Sequence, residues 1–179
     1  MFPVSVGATH GDYNEQNILV RPISCHGNED VEYDIVGVID FGDSNCSPYV
    51  YEVAIAMMYA MLDSHIVDPL SVGGHVIAGY LVGSGATDGR QPLIEPVERR
   101  LLRTCVAARF AQSLTLGAYS HSLDPTNEYL LTTARRGWKI LEALWRGTTE
   151  SELYTRWDDV MKESYGMSFF GNECIIESD

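Results

Sequence analysis

The chain has 179 residues, of which 45% are hydrophobic and 21% charged, and its formal net charge is −13. These values are typical of a folded protein with a single core rather than of a disordered chain. The acidic excess, without a cluster of Lys or Arg, argues against nucleic acid as a partner. No apolar run reaches the roughly 18 residues of a membrane span, and the scattered cysteines fit a reducing compartment better than a disulfide framework. We therefore expect a soluble, cytoplasmic protein.

Two segments rich in β-branched residues predict an antiparallel ribbon near the amino terminus. They span residues 17–24 and 31–39, and the turn-rich residues 25–30 separate them. A hairpin returns the end of its second strand to the start of its first. We therefore expect Asp40, which follows the second strand, to lie beside Asp12 and Asn17.

Helical spacing of apolar residues predicts several helices after this ribbon. Residues 49–62 are predicted to form a buried helix, and residues 72–82 a second helix that several glycines weaken. Pro96 and Pro125, each preceded by an acidic residue, indicate the starts of two longer helices. Thr149 and Glu152 form a capping box for a last helix that ends at Gly166.

No repeat or long linker divides the chain, so we expect one domain over residues 1–179. Its parts are the catalytic loop, hairpin and metal-binding loop at residues 1–48, a helical subdomain at 49–166 and a tail at 167–179. The expected fold class is α+β and mainly helical, a small β-ribbon with a catalytic loop followed by a helical bundle.

Two motifs predict the chemistry. His10, Asp12 and Asn17 meet the spacing H-x-D-x-x-x-x-N, and the triplet Asp40-Phe41-Gly42 follows the second strand. In phosphoryl transfer a carboxylate orients the acceptor hydroxyl, while an amide oxygen and a second carboxylate hold Mg²⁺ on the nucleotide phosphates. Either motif alone is weak evidence. In this order, joined by a hairpin, they predict a kinase catalytic segment with Asp12 as catalytic residue and Asn17 and Asp40 as metal ligands.

These motifs resemble the C-terminal lobe of the aminoglycoside phosphotransferase superfamily, a protein-kinase-like fold in which Gly replaces the Arg between His and Asp. Segments 10–20, 37–43, 51–55 and 108–114 are similar to the hydroxylysine kinases within it. The resemblance implies transfer of the γ-phosphoryl group of GTP or ATP to the hydroxyl of 5-hydroxy-L-lysine, with Mg²⁺ as cofactor. It also implies Asp12 as the catalytic aspartate, with Asn17 and Asp40 as metal ligands.

Members of this superfamily also have an amino-terminal lobe that covers the nucleotide. The chain contains no glycine-rich hairpin followed by a phosphate-binding lysine. We therefore interpret it as the C-terminal lobe alone: a fragment, a short isoform or an incomplete gene model.

Four further residues are candidates for the site. Asp43 and Glu52 are acidic groups suited to the ammonium groups of an amino-alcohol substrate. Asp43 also fits a loop cap, and Glu52 fits a buried hydrogen bond to the catalytic loop. His10 and Gly42 are expected to support the site rather than to react.

Two other functions stay open at this stage. The same chemistry would serve another amine-bearing alcohol, such as an aminoglycoside, choline or homoserine. Alternatively, the chain is a non-catalytic module that binds Mg²⁺ or a partner, because phosphoryl transfer requires a positioned nucleotide as well as the metal. In each enzymatic case the expected partners are a nucleotide and a small molecule, without nucleic acid or membrane.

Overall fold

Two antiparallel ribbons precede the helices in the computed structural model, which describes residues 5–23, 32–65, 68–85, 94–126 and 132–170. The strands are β1 (Val6–Thr9), β2 (Ile18–Pro22), β3 (Tyr33–Val38) and β4 (Asn45–Pro48). β2 pairs with β3, which confirms the predicted ribbon, while the turn predicted at residues 25–30 lies outside the described residues. A β-bulge falls between Leu19 and Val20.

The second ribbon, β1 with β4, was not indicated by the sequence. Thr9 pairs with Asn45 and Val6 with Pro48 in antiparallel register. Both strands have four residues, and β4 (Asn-Cys-Ser-Pro) is poor in β-forming residues, so tertiary pairing outweighs local propensity here. In chain order, β1 and β4 flank the ribbon of β2 and β3. The end of β1 fixes where the loop between β1 and β2 begins.

Six α-helices follow the two ribbons in the described part of the chain. They are α1 (Tyr49–Asp63), α2 (Val72–Gly83), α3 (Pro96–Arg99), α4 (Leu102–Leu123), α5 (Thr132–Trp145) and α6 (Glu150–Tyr165). α1 packs against α2 and α4, α4 packs against α5, and α2 packs against α6. None of the described helices is long and apolar enough to cross a bilayer.

The core lies between these helices and combines many aliphatic side chains with several methionine and aromatic ones. Met57, Met58 and Met61 of α1 are fully buried with Phe110 of α4 and Trp157 of α6. Unbranched Met side chains adapt to irregular gaps, which suits a helix enclosed on several sides. The helix predicted at residues 49–62 is thus confirmed as a buried one.

The glycines of α2 have a packing role. A Cβ at Gly73 would lie 2.5 Å from the indole nitrogen of Trp157, and a Cβ at Gly74 would lie 2.7 Å from its backbone oxygen. The close approach lets Trp157 donate a hydrogen bond to the backbone oxygen of Leu70 at 2.7 Å. The predicted helix at residues 72–82 is confirmed, and the glycines that lower its propensity permit its contact with α6.

The helix predicted from Pro96 begins where expected but is shorter in the structure. The helix expected from Pro96 is interrupted, because α3 ends at Arg99 and a turn separates it from α4. The buried Glu98 side chain accepts hydrogen bonds from the backbone nitrogens of Ser5 and Glu95, which anchors α3 as a separate element.

The helix start predicted at Pro125 stays a prediction, because residues 127–131 lie outside the described residues. Residues 125 and 126 form a turn in which Asp124 Oδ1 accepts hydrogen bonds from Thr126, and the described helix begins at Thr132. The capping box of α6 is confirmed, with Glu152 N–H donating to Thr149 Oγ1 at 3.2 Å and Gly166 in the left-handed region at φ 64°.

Asp158 links α6 to the segment that follows it, and this makes stability dependent on pH. Burial alone would raise its pKa, but hydrogen bonds from the backbone of Phe169, the hydroxyl of Ser168 and the backbone of Phe170, with the charge of Lys162, lower it below the ordinary value. A depressed carboxyl pKa stabilises the fold above the unfolded pKa of about 3.9, and this contribution is lost as the pH falls through the folded value.

We expect Asp158→Asn to lower the melting temperature at pH 7, with the difference from the unsubstituted chain shrinking below about pH 4. Thermal unfolding followed by circular dichroism from pH 7 to pH 2.5 measures this. Asp159→Asn is the matched control, because Asp159 is the exposed neighbour. A difference that stays constant over the whole pH range would contradict the role of the charge.

Candidate active site

The loop between β1 and β2 carries the predicted catalytic residues, and Glu52 holds its backbone. Glu52 lies in the first turn of α1, where Oε1 accepts a hydrogen bond from His10 N–H at 3.1 Å and Oε2 accepts one from Gly11 N–H at 2.9 Å. Both carboxylate oxygens therefore bind the loop. Of the two alternatives for Glu52, this geometry is that of loop support.

His10 connects the two sequence motifs. Its Nε2 lies 2.8 Å from the backbone oxygen of Ile39, and its Nδ1 accepts a hydrogen bond from Asp12 N–H at 3.3 Å. Because a carbonyl only accepts, this pair of contacts requires the tautomer with the proton on Nε2. The ring also packs on Phe41, with 4.9 Å between the centroids. One side chain thus ties Asp12 to the segment that carries Asp40.

Gly11 lets the loop pass close to the segment after Asp40. Its φ is +85°, and a Cβ there would lie 2.4 Å from the backbone oxygen of Asp43. Glycine is the residue that tolerates both conditions at once. The Gly between His and Asp therefore has a structural cause in this chain.

Gly11→Ala is expected to destabilise the fold by at least about 2 kcal/mol, since it combines left-handed strain with a backbone clash. Thermal unfolding should show a fall of roughly 4–8 °C for a chain of this size. Gly79→Ala is the matched control, because a Cβ there meets nothing within 4 Å, and it should be neutral or stabilise by up to about 1 kcal/mol. Equal melting temperatures for the two variants would contradict the account of Gly11.

Asn17 and Asp40 are brought together by the ribbon of β2 and β3. The backbone oxygen of Asn17 accepts a hydrogen bond from Ile39 N–H at 3.0 Å, which places Asp40 next to it. The Asn17 Nδ2 donates to the backbone oxygen of Asp12 at 2.9 Å, so Oδ1 is the amide atom left to bind a ligand. The side chain is only 7% exposed and is fixed by these contacts.

Asp40 has an exposed carboxylate on a strained backbone. Its φ and ψ are 61° and 66°, which makes it the non-glycine residue with positive φ among those the structure describes. No hydrogen bond of the described residues engages its carboxylate. Strain at such a residue is often kept for function, and carboxylate and amide oxygens are donors that suit a hard cation.

These two oxygens fit Mg²⁺ as a partial ligand set. Mg²⁺ in nucleotide enzymes takes one or two carboxylates from the protein and completes its shell with phosphates and water. Within the described residues no group of three or more His, Cys, Asp or Glu could hold a metal. A carboxylate and an amide oxygen would suit Mg²⁺ that is bound together with a nucleotide.

Asp12 lies in a network that the sequence did not reveal. Its Oδ1 accepts hydrogen bonds from Arg109 Nη2 at 2.6 Å and from Tyr59 OH at 3.3 Å, and its Oδ2 accepts one from Asn14 Nδ2 at 3.0 Å. Arg109 also donates to Tyr59 OH at 3.1 Å. Burial raises the pKa of Tyr59, an effect that Arg109 opposes and Asp12 reinforces, so its hydroxyl stays protonated at neutral pH and can donate.

The sequence of α4 contains one indication that Arg109 has a distant partner. α4 contains no Asp or Glu, so an arginine in the middle of this helix has no acidic partner within reach along it. Such a charge on a packed helix requires a partner from elsewhere in the fold.

The remaining candidates are placed close by. Asp43 is exposed, and its backbone oxygen accepts a hydrogen bond from Asn45 Nδ2 at 2.9 Å. A Cβ at Gly42 would lie 3.3 Å from Asp40 Oδ1, so a side chain there would crowd that carboxylate. The structure thus gathers Asp12, Asn17 and Asp40 around one loop.

Comparison with known proteins finds similarity to hydroxylysine kinases over most of this chain. Bovine (Bos taurus) hydroxylysine kinase is 46% identical over 137 residues, 75% of this chain and 33% of the relative. The Mus musculus hydroxylysine kinase is 44% identical over 136 residues, with the same coverage, and that of Danio rerio 39% over 149 residues, 83% of this chain and 38% of the relative. The chain spans about a third of the length of the relatives it matches.

No solved structure matches the chain. The α+β, mainly helical architecture confirms the expected fold class. Residues 3–93, just over half of the chain, match the family model described as the phosphotransferase enzyme family. On this match, the chain belongs to the phosphotransferase enzyme family.

Proposed function

We propose that this chain forms the acceptor and metal half of a kinase that transfers the γ-phosphoryl group of GTP or ATP to the hydroxyl of 5-hydroxy-L-lysine. The observation that carries the proposal is the convergence of Asp12, Asn17 and Asp40 on one loop, with Asn17 joined by hydrogen bonds to both motifs. The similarity to hydroxylysine kinases supports the choice of acceptor.

In this proposal Asp12 orients the acceptor hydroxyl and takes its proton as the new phosphate ester forms. Carboxylates are weak bases for an alcohol, so alignment of the hydroxyl is the larger contribution of Asp12. His10 and Glu52 keep the loop in place from two sides: the imidazole holds the Asp12 backbone, and the carboxylate holds the two preceding N–H groups.

Asn17 and Asp40 would hold Mg²⁺ through Oδ1 and the carboxylate. When bound, this ion neutralises charge on the nucleotide phosphates. Asp43 is proposed as an acidic contact for an ammonium group of the substrate, because it is exposed beside the loop and its carboxylate has no hydrogen bond in the described residues. Glu52 is proposed as support of the loop rather than as a substrate ligand.

Turnover with a panel of acceptors tests the proposal. GTP or ATP with Mg²⁺ is supplied together with 5-hydroxy-L-lysine, homoserine, choline or an aminoglycoside. The proteins are the 179-residue chain and a chimera in which this chain replaces the matching segment of bovine hydroxylysine kinase. We expect the chimera to prefer 5-hydroxy-L-lysine. A folded chimera that phosphorylates another acceptor better would contradict the assignment of 5-hydroxy-L-lysine as the substrate. A folded chimera that is inactive on all four acceptors would contradict the proposed kinase function.

A second candidate, a non-catalytic binding module, is favoured by the surface of the β2–β3 ribbon. Val20, Ile35 and Val36 are 53%, 60% and 49% exposed, and nearby Phe41 is 62% exposed. Adjacent exposed apolar side chains of this kind mark a surface that another protein segment covers. Phosphorylated product from the 179-residue chain alone would exclude this candidate. If the chimera is active and the 179-residue chain alone is not, the isolated chain is a non-catalytic module.

A further inference from the structure

Arg109 is a charged side chain that joins α4 to the catalytic loop. Its Nη2 donates to Asp12 Oδ1 at 2.6 Å and to Tyr59 OH at 3.1 Å, and its Cζ lies 5.4 Å from the centre of the Tyr59 ring. Nη1 donates to Gln112 Oε1 at 3.0 Å. The side chains of Arg109 and Asp12 are 17% and 28% exposed, so solvent screens this pair less than it would a surface pair.

The helix that carries Arg109 is firmly packed. Val106 and Phe110, on either side of it in α4, are fully buried, and α4 packs against α1. Tyr59, the second donor to Asp12 Oδ1, lies on α1. The Asp12 carboxylate is therefore held by two rigid helices, whereas its backbone is held by His10. A group fixed by packed elements keeps its geometry better than one fixed within a loop.

Counting lone pairs shows which Asp12 oxygen remains open. A carboxylate accepts about four hydrogen bonds, two at each oxygen. Arg109 and Tyr59 occupy both positions of Oδ1, and Asn14 Nδ2 occupies one position of Oδ2. The remaining position is on Oδ2.

We propose that Arg109 is a positioning residue of the phosphotransfer site, which holds Asp12 Oδ1 so that Oδ2 receives the acceptor hydroxyl. This inference rests on the proposed function and adds to it a residue from α4, far from the catalytic loop in sequence. Arg109 does not touch the acceptor: it fixes the rotation of the Asp12 carboxylate. Removing it leaves Asp12 with one weaker donor on Oδ1, so either oxygen can turn toward Tyr59 and the hydroxyl loses its alignment.

The first part of the test uses the 179-residue chain and does not depend on turnover. Asp12→Ala, Arg109→Met and the double variant are compared by thermal unfolding, because alanine removes the acceptor of the Arg109 hydrogen bond completely. If the two side chains act as a pair, the double variant should melt no lower than the more damaging single variant. Melting temperature losses that simply add would overturn the pairing, and with it the proposal.

The second part measures steady-state turnover in the chimera with bovine hydroxylysine kinase, well below the melting temperature of each variant. Arg109→Met should lower kcat by about 10- to 100-fold, with the KM for the acceptor changed by less than about threefold. Arg109→Lys should recover only part of kcat, because lysine lacks the second nitrogen with which Arg109 also binds Gln112 Oε1, so its single ammonium group is held less firmly beside Asp12.

Arg156→Met is the matched control. Arg156 also pairs with an aspartate at 2.6 Å, Asp68, but on the helical side of the fold away from the loop. It should keep kcat within about twofold of the unsubstituted chimera. If the chimera is active and Arg109→Met has the same turnover as Arg156→Met, the positioning role of Arg109 is overturned, while the proposed function stands. An inactive, folded chimera would instead overturn the proposed function and this inference together.

Discussion

Asp12→Asn should lower kcat for phosphoryl transfer by about 10²- to 10⁴-fold, the range typical of an acid–base residue. The amide keeps an oxygen that can accept from Arg109 and Tyr59, but it has no charge to orient the acceptor hydroxyl or to take its proton. The fold should survive, because the loop backbone is held by Glu52 and His10 rather than by this carboxylate. Steady-state rates in the chimera measure the effect.

Asp68→Asn is the control for this substitution. Asp68 accepts from an arginine at the same distance of 2.6 Å, so its replacement costs a comparable ion pair without touching the loop. It should leave turnover near that of the unsubstituted protein. If Asp12→Asn loses no more turnover than Asp68→Asn, then Asp12 does not act on the acceptor.

Substitutions of Asp40 should separate stability from activity. Asp40 has a left-handed backbone at φ 61°, a conformation that costs a non-glycine residue about 1–2 kcal/mol. Asp40→Gly should therefore leave the melting temperature unchanged or raise it slightly, while Asp40→Ala keeps the strain and should melt lower. Both variants remove the carboxylate proposed as a metal ligand, so both should lose Mg²⁺-dependent turnover.

The measurement for Asp40 combines thermal unfolding of the 179-residue chain with Mg²⁺ titrations of turnover in the chimera. Asp40→Asn is the matched variant, because asparagine also tolerates the left-handed region but has no charge. It should unfold at a temperature close to that of the unsubstituted chain, and it should need more Mg²⁺ for turnover. Mg²⁺-dependent turnover retained in Asp40→Gly would exclude this residue as a ligand.

The parts of the fold that could be predicted have strong local signals. The β-branched segments before and after residues 25–30 predicted the ribbon of β2 and β3, and the capping box of Thr149 and Glu152 predicted the start of α6. The ribbon of β1 and β4 has no comparable local signal. Its strands are short and form because they pair with each other in the fold. The break between α3 and α4 near residue 100 depends on tertiary contacts that periodicity does not encode.

The candidate site shows the same division. Residues within fixed motifs, such as Asp12, Asn17 and Asp40, could be proposed as candidates from their spacing. The partner of Arg109 could not be identified from the sequence, because Asp12 lies 97 residues away and the pairing arises only when α4 packs against α1. Asn14 was inside the catalytic loop but its amide contact with Asp12 depends on the local turn. Pairwise contacts across the fold therefore needed the structure.

Transfer of labelled phosphate tests the central claim most directly. The chimera is incubated with Mg²⁺ and GTP or ATP labelled in the γ-phosphoryl group, with 5-hydroxy-L-lysine in one reaction and lysine, which lacks the hydroxyl, in another. We predict label on the side-chain hydroxyl of 5-hydroxy-L-lysine, none on lysine, and loss of transfer in Asp12→Asn. Equal labelling by Asp12→Asn, or a folded chimera that labels neither amino acid, would contradict the account.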